Sequence, residues 1–337
     1  MELPASNGKR ALVLGVGGQD GSYLAEILLS RGYEVHGLLR RSATGNTKNI
    51  DHLLTEEVAG KRFFTHKGDL ADVTSIYSVI KEVAPDELYN EADQDHVSWS
   101  YATPSYSYDI TGAAVGRVLE ALRQADKDTR FFQPSSSNIF GKPVEVPQKE
   151  TTAFNPQSPY ACAKVMALLI TRHYREAYGM FAANGILYNH ESPRRNEEYV
   201  TRKITRAAAK IAAGLQSKIS LGDIDIKIDW GYAKEYMEAA WNILQLPVAD
   251  DFVIANGTTG SVREFATEAF SAVGLKFEDH LFIDKALLRP ASTGLLVGDT
   301  SKAKKAFGFH PMVGFRDLAR LMVESDVKSI GPARNRG

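Results

Sequence analysis

Strands and helices alternate through the first half of this 337-residue chain, an order that predicts an α/β fold on a doubly wound parallel sheet, with a smaller, discontinuous C-terminal domain. Two motifs support that class. A short apolar run near the start feeds straight into glycines spaced three apart. Further on, a tyrosine and a lysine, Tyr160 and Lys164, stand one turn apart in a helical segment. The length leaves room for one large α/β domain and a second, smaller one.

The elements follow in order. Ala11-Leu12-Val13-Leu14 has the unbroken hydrophobicity of a strand buried on both faces. Helical periodicity follows over 21–31, then strands over 33–39 and 62–66 and a helix over 73–83. Glu87-Leu88-Tyr89-Asn90 reads as a strand, Gly112–Gln124 as a helix and Arg130–Gln133 as a strand. The helix carrying Tyr160 extends to about Tyr178. Beyond Gly185 the pattern loosens: 189–195 is loop-like, 201–213 a basic helix, 230–244 a helix and 252–255 a strand.

The glycines come first in the functional reading. Gly15, Gly18 and Gly21 sit between a strand and a helix. There they permit a tight turn, close approach of backbone to a pyrophosphate, and close helix–strand packing. With Gln19 and Asp20 between them they form a candidate dinucleotide site on a Rossmann-type sheet. The end of the second strand selects the cofactor. An acid there would meet the ribose 2′-hydroxyl of NAD, whereas this chain has Arg40-Arg41-Ser42, whose guanidiniums suit the 2′-phosphate of NADP. Asp69 and Leu70, after the third strand, are candidates for the adenine. Residues 1–185 plus 232–260 are therefore expected to form the NADP-binding domain, 186–231 plus 261–325 a substrate domain, and 326–337 a tail.

Tyr160 and Lys164 share one helix face, since positions i and i+4 do. A lysine ammonium beside a phenol favours the phenolate, making Tyr160 a candidate general base toward a sugar or alcohol hydroxyl. The hydroxyl-rich strand end Ser135-Ser136-Ser137 lies upstream, followed by Asn138.

Composition limits the alternatives. Hydrophobic residues make up 44%, enough for a sizeable core, and the formal net charge is −1. Basic residues are dispersed, which argues against a nucleic-acid partner. A single cysteine, Cys162, supplies neither a disulfide nor a cysteine-based metal site, and reads as a packing residue. No run of about 18 apolar residues suggests a membrane span, and 1–10 has no signal-peptide core, so a cytoplasmic location is expected.

Together these pieces resemble an extended short-chain dehydrogenase/reductase, and within that group the GDP-mannose 4,6-dehydratase family. The matching runs include Gly18-Gln19-Asp20-Gly21-Ser22-Tyr23-Leu24, Arg40-Arg41-Ser42, 185–195 (ending Asn189-His190-Glu191-Ser192-Pro193-Arg194-Arg195), 200–207, Asp229-Trp230-Gly231 and Arg289-Pro290-Ala291. The resemblance implies NADP retained through turnover, a GDP-linked sugar substrate, and a homodimer or homotetramer joined partly by the loop after Arg41. It implies substrate contacts at Asn189, Glu191, Arg195, Val200, Lys203 and Arg289. It also implies that Tyr160, with Lys164 and Ser136, removes the sugar O4 proton while hydride leaves C4. In the family a glutamate two residues after that hydroxyl then takes the C5 proton and releases the C6 hydroxyl as water.

Here that position is Asn138, and an amide neither accepts nor gives a proton near neutral pH. The leading expectation is therefore C4 redox without dehydration, of epimerase or 4-ketoreductase type. The alternatives are dehydration with an unorthodox base, or a non-catalytic paralogue that binds nucleotide sugar. Two more departures stand out. Asp93 and Asp95 replace small or neutral residues beside the cofactor, and are expected to be solvated or ion-paired surface acids, with replacement of the missing base the lesser reading. Ile228 replaces an arginine that grips the diphosphate, for which Lys227, Arg195 or Arg289 could compensate.

Overall fold

A computed structural model describes residues 3–43, 45–55, 58, 60–125, 127–287 and 294–331. Arg289 and 332–337 lie outside them. The strands are β1 (Arg10–Leu14), β2 (Glu34–Leu39), β3 (Phe63–Lys67), β4 (Glu87–Asn90), β5 (Arg130–Ser136), β6 (Ala182–Leu187), β7 (Asn189–Glu191), β8 (Ile219–Leu221), β9 (Lys227–Tyr232), β10 (Asp251–Ile254), β11 (Thr259–Ser261) and β12 (Leu281–Ile283). The helices are α1 (Gln19–Ser30), α2 (Val73–Val83), α3 (Val97–Ala102), α4 (Pro104–Ser107), α5 (Ala114–Gln124), α6 (Pro159–Tyr178), α7 (Val200–Ala212), α8 (Ala233–Gln245), α9 (Val262–Ser271), α10 (Ser301–Phe307) and α11 (Phe315–Ile330).

Seven strands form one sheet in the order β10-β6-β5-β4-β1-β2-β3, every pair parallel. Alternation along β1 sends Ala11 and Val13 into one core with Leu24 and Leu28 of α1 and Tyr236 and Ile243 of α8. Leu12 and Leu14 enter the other, with Ile76 and Ile80 of α2 and Val118 and Leu122 of α5. Both faces of the sheet are thus covered, which is why β1 reads as continuously apolar. The strand order reverses between β1 and β4, where α/β sheets open a ligand crevice.

A third core joins α7, α9 and α11 through Ile204, Ala208, Phe265, Leu318 and Met322, capped by Trp230. Beside it lie the sheets β11-β9-β7 and β12-β8. Residues 230–232, expected as the start of a helix, are strand. Trp230 and Gly231 register with Asn189 and His190, and a side chain at Gly231 would collide with the Tyr236 ring. The helix starts only at Ala233. Asn189–Glu191, expected as loop, is the short strand β7. Ala303 and Phe309 are buried in the first core although they fall within the residues assigned above to the second unit. Helix α11 runs past residue 325 to Ile330, because Asp326 is fully buried against Arg202 and Arg206 of α7.

Candidate active site

The site is assembled at the β1/β4 reversal from four chain ends. Gly15 ends β1 at φ +77°, in the left-handed region that favours glycine. Its N–H reaches Leu38 O and its carbonyl accepts from Gly18 N at 3.0 Å, closing the turn. A Cβ on Gly15 would stand 2.6 Å from the carbonyl oxygen of Glu91, and one on Gly21 2.5 Å from that of Gly15. Gly18 caps α1 without any side-chain acceptor, leaving backbone N–H groups at the helix start for an anion. These residues fit a dinucleotide. Gln19 and Asp20 also serve the fold: Gln19 donates to His190 O (3.2 Å) and accepts from Ser192 Oγ (2.8 Å), and Asp20 pairs with His190 Nε2 at 2.9 Å.

At the far end of β2, Arg40, Arg41 and Ser42 are exposed. Arg40 donates to Tyr106 Oη (2.9 Å), which orients its guanidinium. Asp69 is half-buried and accepts from Ala71 N at 3.0 Å, and Leu70 is buried in the second core.

Ser158 caps α6 by accepting from Ala161 N (3.1 Å), and Pro159 occupies its first turn, so Tyr160 and Lys164 are held at a helix start. Ser136 ends β5. Its Oγ accepts from both Asn138 N (3.2 Å) and Asn138 Nδ2 (3.1 Å). With both lone pairs engaged, the Ser136 proton is what remains to donate, and Ser136 is among the groups that favour the ionised form of Tyr160. Ser136, Asn138, Tyr160 and Lys164 therefore meet in one pocket.

Lys164 is the surprise. Its Nζ lies 2.6 Å from Asp93 Oδ2 and donates to Pro134 O at 2.8 Å, with only 4% of its side chain exposed. Burial alone would push the ammonium to a lower pKa; Asp93 and Tyr160 outweigh that and hold Lys164 charged. Tyr160 is pushed up to about 12 by burial, which Lys164 and Ser136 only partly offset while Asp93 and Asp95 add to it. Lys164 still pulls the phenol toward its ionised form, but burial outweighs it and Asp93 opposes it, so at neutral pH Tyr160 is a phenol.

Asp93 is ion-paired as expected but is not a surface acid: it packs against the catalytic helix. Asp95 is exposed and pairs with Arg195 at 3.4 Å. Sequence reasoning passed over Glu91. Its Oε1 is buried with no hydrogen-bond partner among the described residues, and burial, then Asp20, raise its carboxyl well above the ordinary range. The run Glu91-Ala92-Asp93-Gln94-Asp95 was the available signal.

On the second unit, Glu191 is buried, accepts from Thr201 Oγ1 (2.6 Å) and pairs with Arg195 (3.4 Å), whose guanidinium stacks on Tyr199 at 3.6 Å. Asn189 is exposed and Val200 half-buried. Lys203 lines a cleft of about 300 Å³ with Arg206, Lys210 and Lys218. Ile228 packs against the third core and Trp230 lies within it, while Tyr232 packs edge-on against Tyr23. Cys162 is exposed on α6. Among the described residues no group of three or more His, Cys, Asp or Glu could hold a metal, and no helix is long and apolar enough to cross a membrane.

The comparisons with known proteins bear on the family and the fold. A family model described as GDP-mannose 4,6 dehydratase matches residues 12–322. GDP-mannose 4,6 dehydratase 1 of Arabidopsis thaliana is 47% identical over 326 residues, covering 95% of this chain and 90% of that protein. Among solved structures, the UDP-glucose 4-epimerase of Thermus thermophilus in complex with NAD is 25% identical, with a TM-score of 0.81, covering 94% and 98%. RMD from Pseudomonas aeruginosa complexed with NADPH has the same fold, at 19% identity and a TM-score of 0.79, covering 95% and 99%.

Proposed function

The chain belongs to the GDP-mannose 4,6-dehydratase family, within the nucleotide-sugar epimerase/dehydratase superfamily, and from that premise we propose that it performs NADP-dependent redox at C4 of a GDP-linked, mannose-type sugar without eliminating water. The observation that carries the reading is Asn138. Its amide donates to Ser136 Oγ, at the position where the resemblance puts the dehydrating glutamate. Losing such a group typically costs about 10²–10⁴-fold.

Gly15, Gly18, Gly21 and the N-terminus of α1 would hold the diphosphate, Arg40, Arg41 and Ser42 the 2′-phosphate, and Asp69 and Leu70 the adenine. When bound, NADP exchanges a hydride with the sugar C4. The protein's part is the proton. Tyr160 exchanges it with O4, Ser136 orients the Tyr160 hydroxyl, and Lys164 sets the local charge. Lys203, Lys210 and Lys218 supply cationic groups suited to a nucleoside diphosphate, while Arg206 beside them is engaged by Glu197 and Asp326. Arg195 is tied to Glu191 and Asp95 and is less free to replace the arginine absent at 228. The domain division at 185/186, 231/232 and 260/261 goes with this reading.

A second reading, dehydration with Asp93 as base, has its observation in the half-buried Asp93 carboxylate, but that group is engaged by Lys164. A non-catalytic binder would have no use for an assembled Ser136–Tyr160–Lys164 set. Self-association is part of the proposal. Val165, Met166, Leu169 and Ile170 of α6 line a shallow apolar face with Gly116, of the kind that a second copy covers.

The test is incubation of the purified chain and NADP with GDP-mannose and related GDP-sugars, followed by mass and NMR. An isomer of unchanged mass, or a product differing only by two hydrogens, supports the reading. Loss of one water sinks it and favours Asp93 as base. Asn138→Glu should confer or raise water elimination.

A further inference from the structure

Asp93 has no part in the leading chemistry just described, yet it reaches the catalytic helix directly, 2.6 Å from Lys164 Nζ. We infer that Asp93 is a positioning residue which, through Lys164, keeps Tyr160 a proton donor, so that the site is suited to reducing a 4-keto sugar rather than oxidising a 4-hydroxyl one. This rests on the reading of Tyr160 as the proton-transfer group for C4 redox.

The geometry is specific. Lys164 Nζ is 5.8 Å from the Tyr160 ring centroid but 2.6 Å from Asp93 Oδ2, and a second donor goes to Pro134 O. An opposite charge in direct contact compensates the ammonium where it would otherwise favour a phenolate. The other charged or titratable groups acting on the pair do not restore it. Asp95 opposes ionisation of Tyr160, Glu91 acts on Lys164 in the same sense as Asp93, and Arg195 is spent on Glu191 and Asp95. Ser136 and Lys164 alone favour the phenolate, and burial outweighs them.

The proton step balances. As C4 gains a hydride from the reduced nicotinamide, the carbonyl π pair moves onto O4. The Tyr160 O–H bond then breaks as O4 forms its own, and water reprotonates the phenolate. In the opposite direction the phenolate must exist first, and at neutral pH it is scarce.

The test is a tyrosinate titration of the full chain by ultraviolet difference spectroscopy against Tyr160→Phe, comparing wild type, Asp93→Asn and Asp93→Glu. Wild type should show no Tyr160 tyrosinate below a pH of about 10. Asp93→Asn should strengthen the acidity of Tyr160 by roughly 10- to 1000-fold, and Asp93→Glu should restore the wild-type titration. The pH profiles should follow, with reduction failing at lower pH in Asp93→Asn and oxidation at neutral pH rising. The inference is overturned if Asp93→Asn titrates like wild type. Should that variant fail to fold, an early titration of Tyr160 in wild type or Asp93→Glu overturns it as well. Shifted titration with no GDP-sugar turned over would instead sink the C4 redox reading and leave Asp93's hold on Tyr160 intact.

Discussion

One hydroxyl, that of Tyr160, carries the proposed chemistry, and everything within contact of it bears on a single proton. Tyr160→Phe leaves the aromatic packing in place and removes that proton. Turnover should fall by about 10²–10⁴-fold with an unchanged thermal midpoint, which steady-state kinetics and a melting curve check together. Ser136→Ala removes the donor to Tyr160 and the acceptor for Asn138, so it should slow turnover without abolishing it. Tyr160, Lys164 and Ser136 could be singled out along the chain because the spacing of four and the hydroxyl strand end are local signals. The Asp93–Lys164 contact could not, since no spacing rule links a loop after β4 to the second turn of α6.

Among the elements, the edge strand β10 is tied to α6 by charge. Asp251 accepts from Arg172 (2.5 Å), Arg175 (3.0 Å) and Asn184 (2.7 Å). Burial would raise its carboxyl, but hydrogen bonds from Arg175 and Asn184 and the two guanidiniums lower it below the ordinary 3.8. A group with a depressed folded-state value contributes stability above its unfolded value and loses it as pH falls. That contribution is full above pH 3.8 and fades below it, so Asp251→Asn should lower the urea midpoint at neutral pH and flatten its acid limb. Helix α11 is pinned to α7 by Asp326 under Arg202 and Arg206. Asp326→Ala strands buried guanidinium charge and should cost about 3–5 kcal/mol, read from denaturant midpoints. No helix was expected there and residues from 326 on were set down as a tail, because burial of Asp326 depends on α7, far upstream. The helix at 230–232 was misplaced similarly: pairing with β7 overrides local propensity there.

For the whole molecule, the exposed α6 face is the feature no single unit satisfies. Met166 is 41% and Leu169 48% exposed, beside Cys162. Met166→Glu with Leu169→Glu should convert the proposed oligomer to monomers by light scattering, leaving the tyrosinate titration of Tyr160 unchanged. The sequence alone determined the α/β class, the glycine turn, the strand-end arginines and the Tyr160–Lys164 helix, because each depends on residues a few positions apart. Only the tertiary structure decided how the charges pair. Asp20 meets His190 across 170 positions and Arg195 meets Asp95 across 100, and Asp93 meets Lys164 only once the parallel sheet brings their strand ends to one crevice. Charge pairing in a closed pocket depends on distance and burial, and neither exists until the chain has folded.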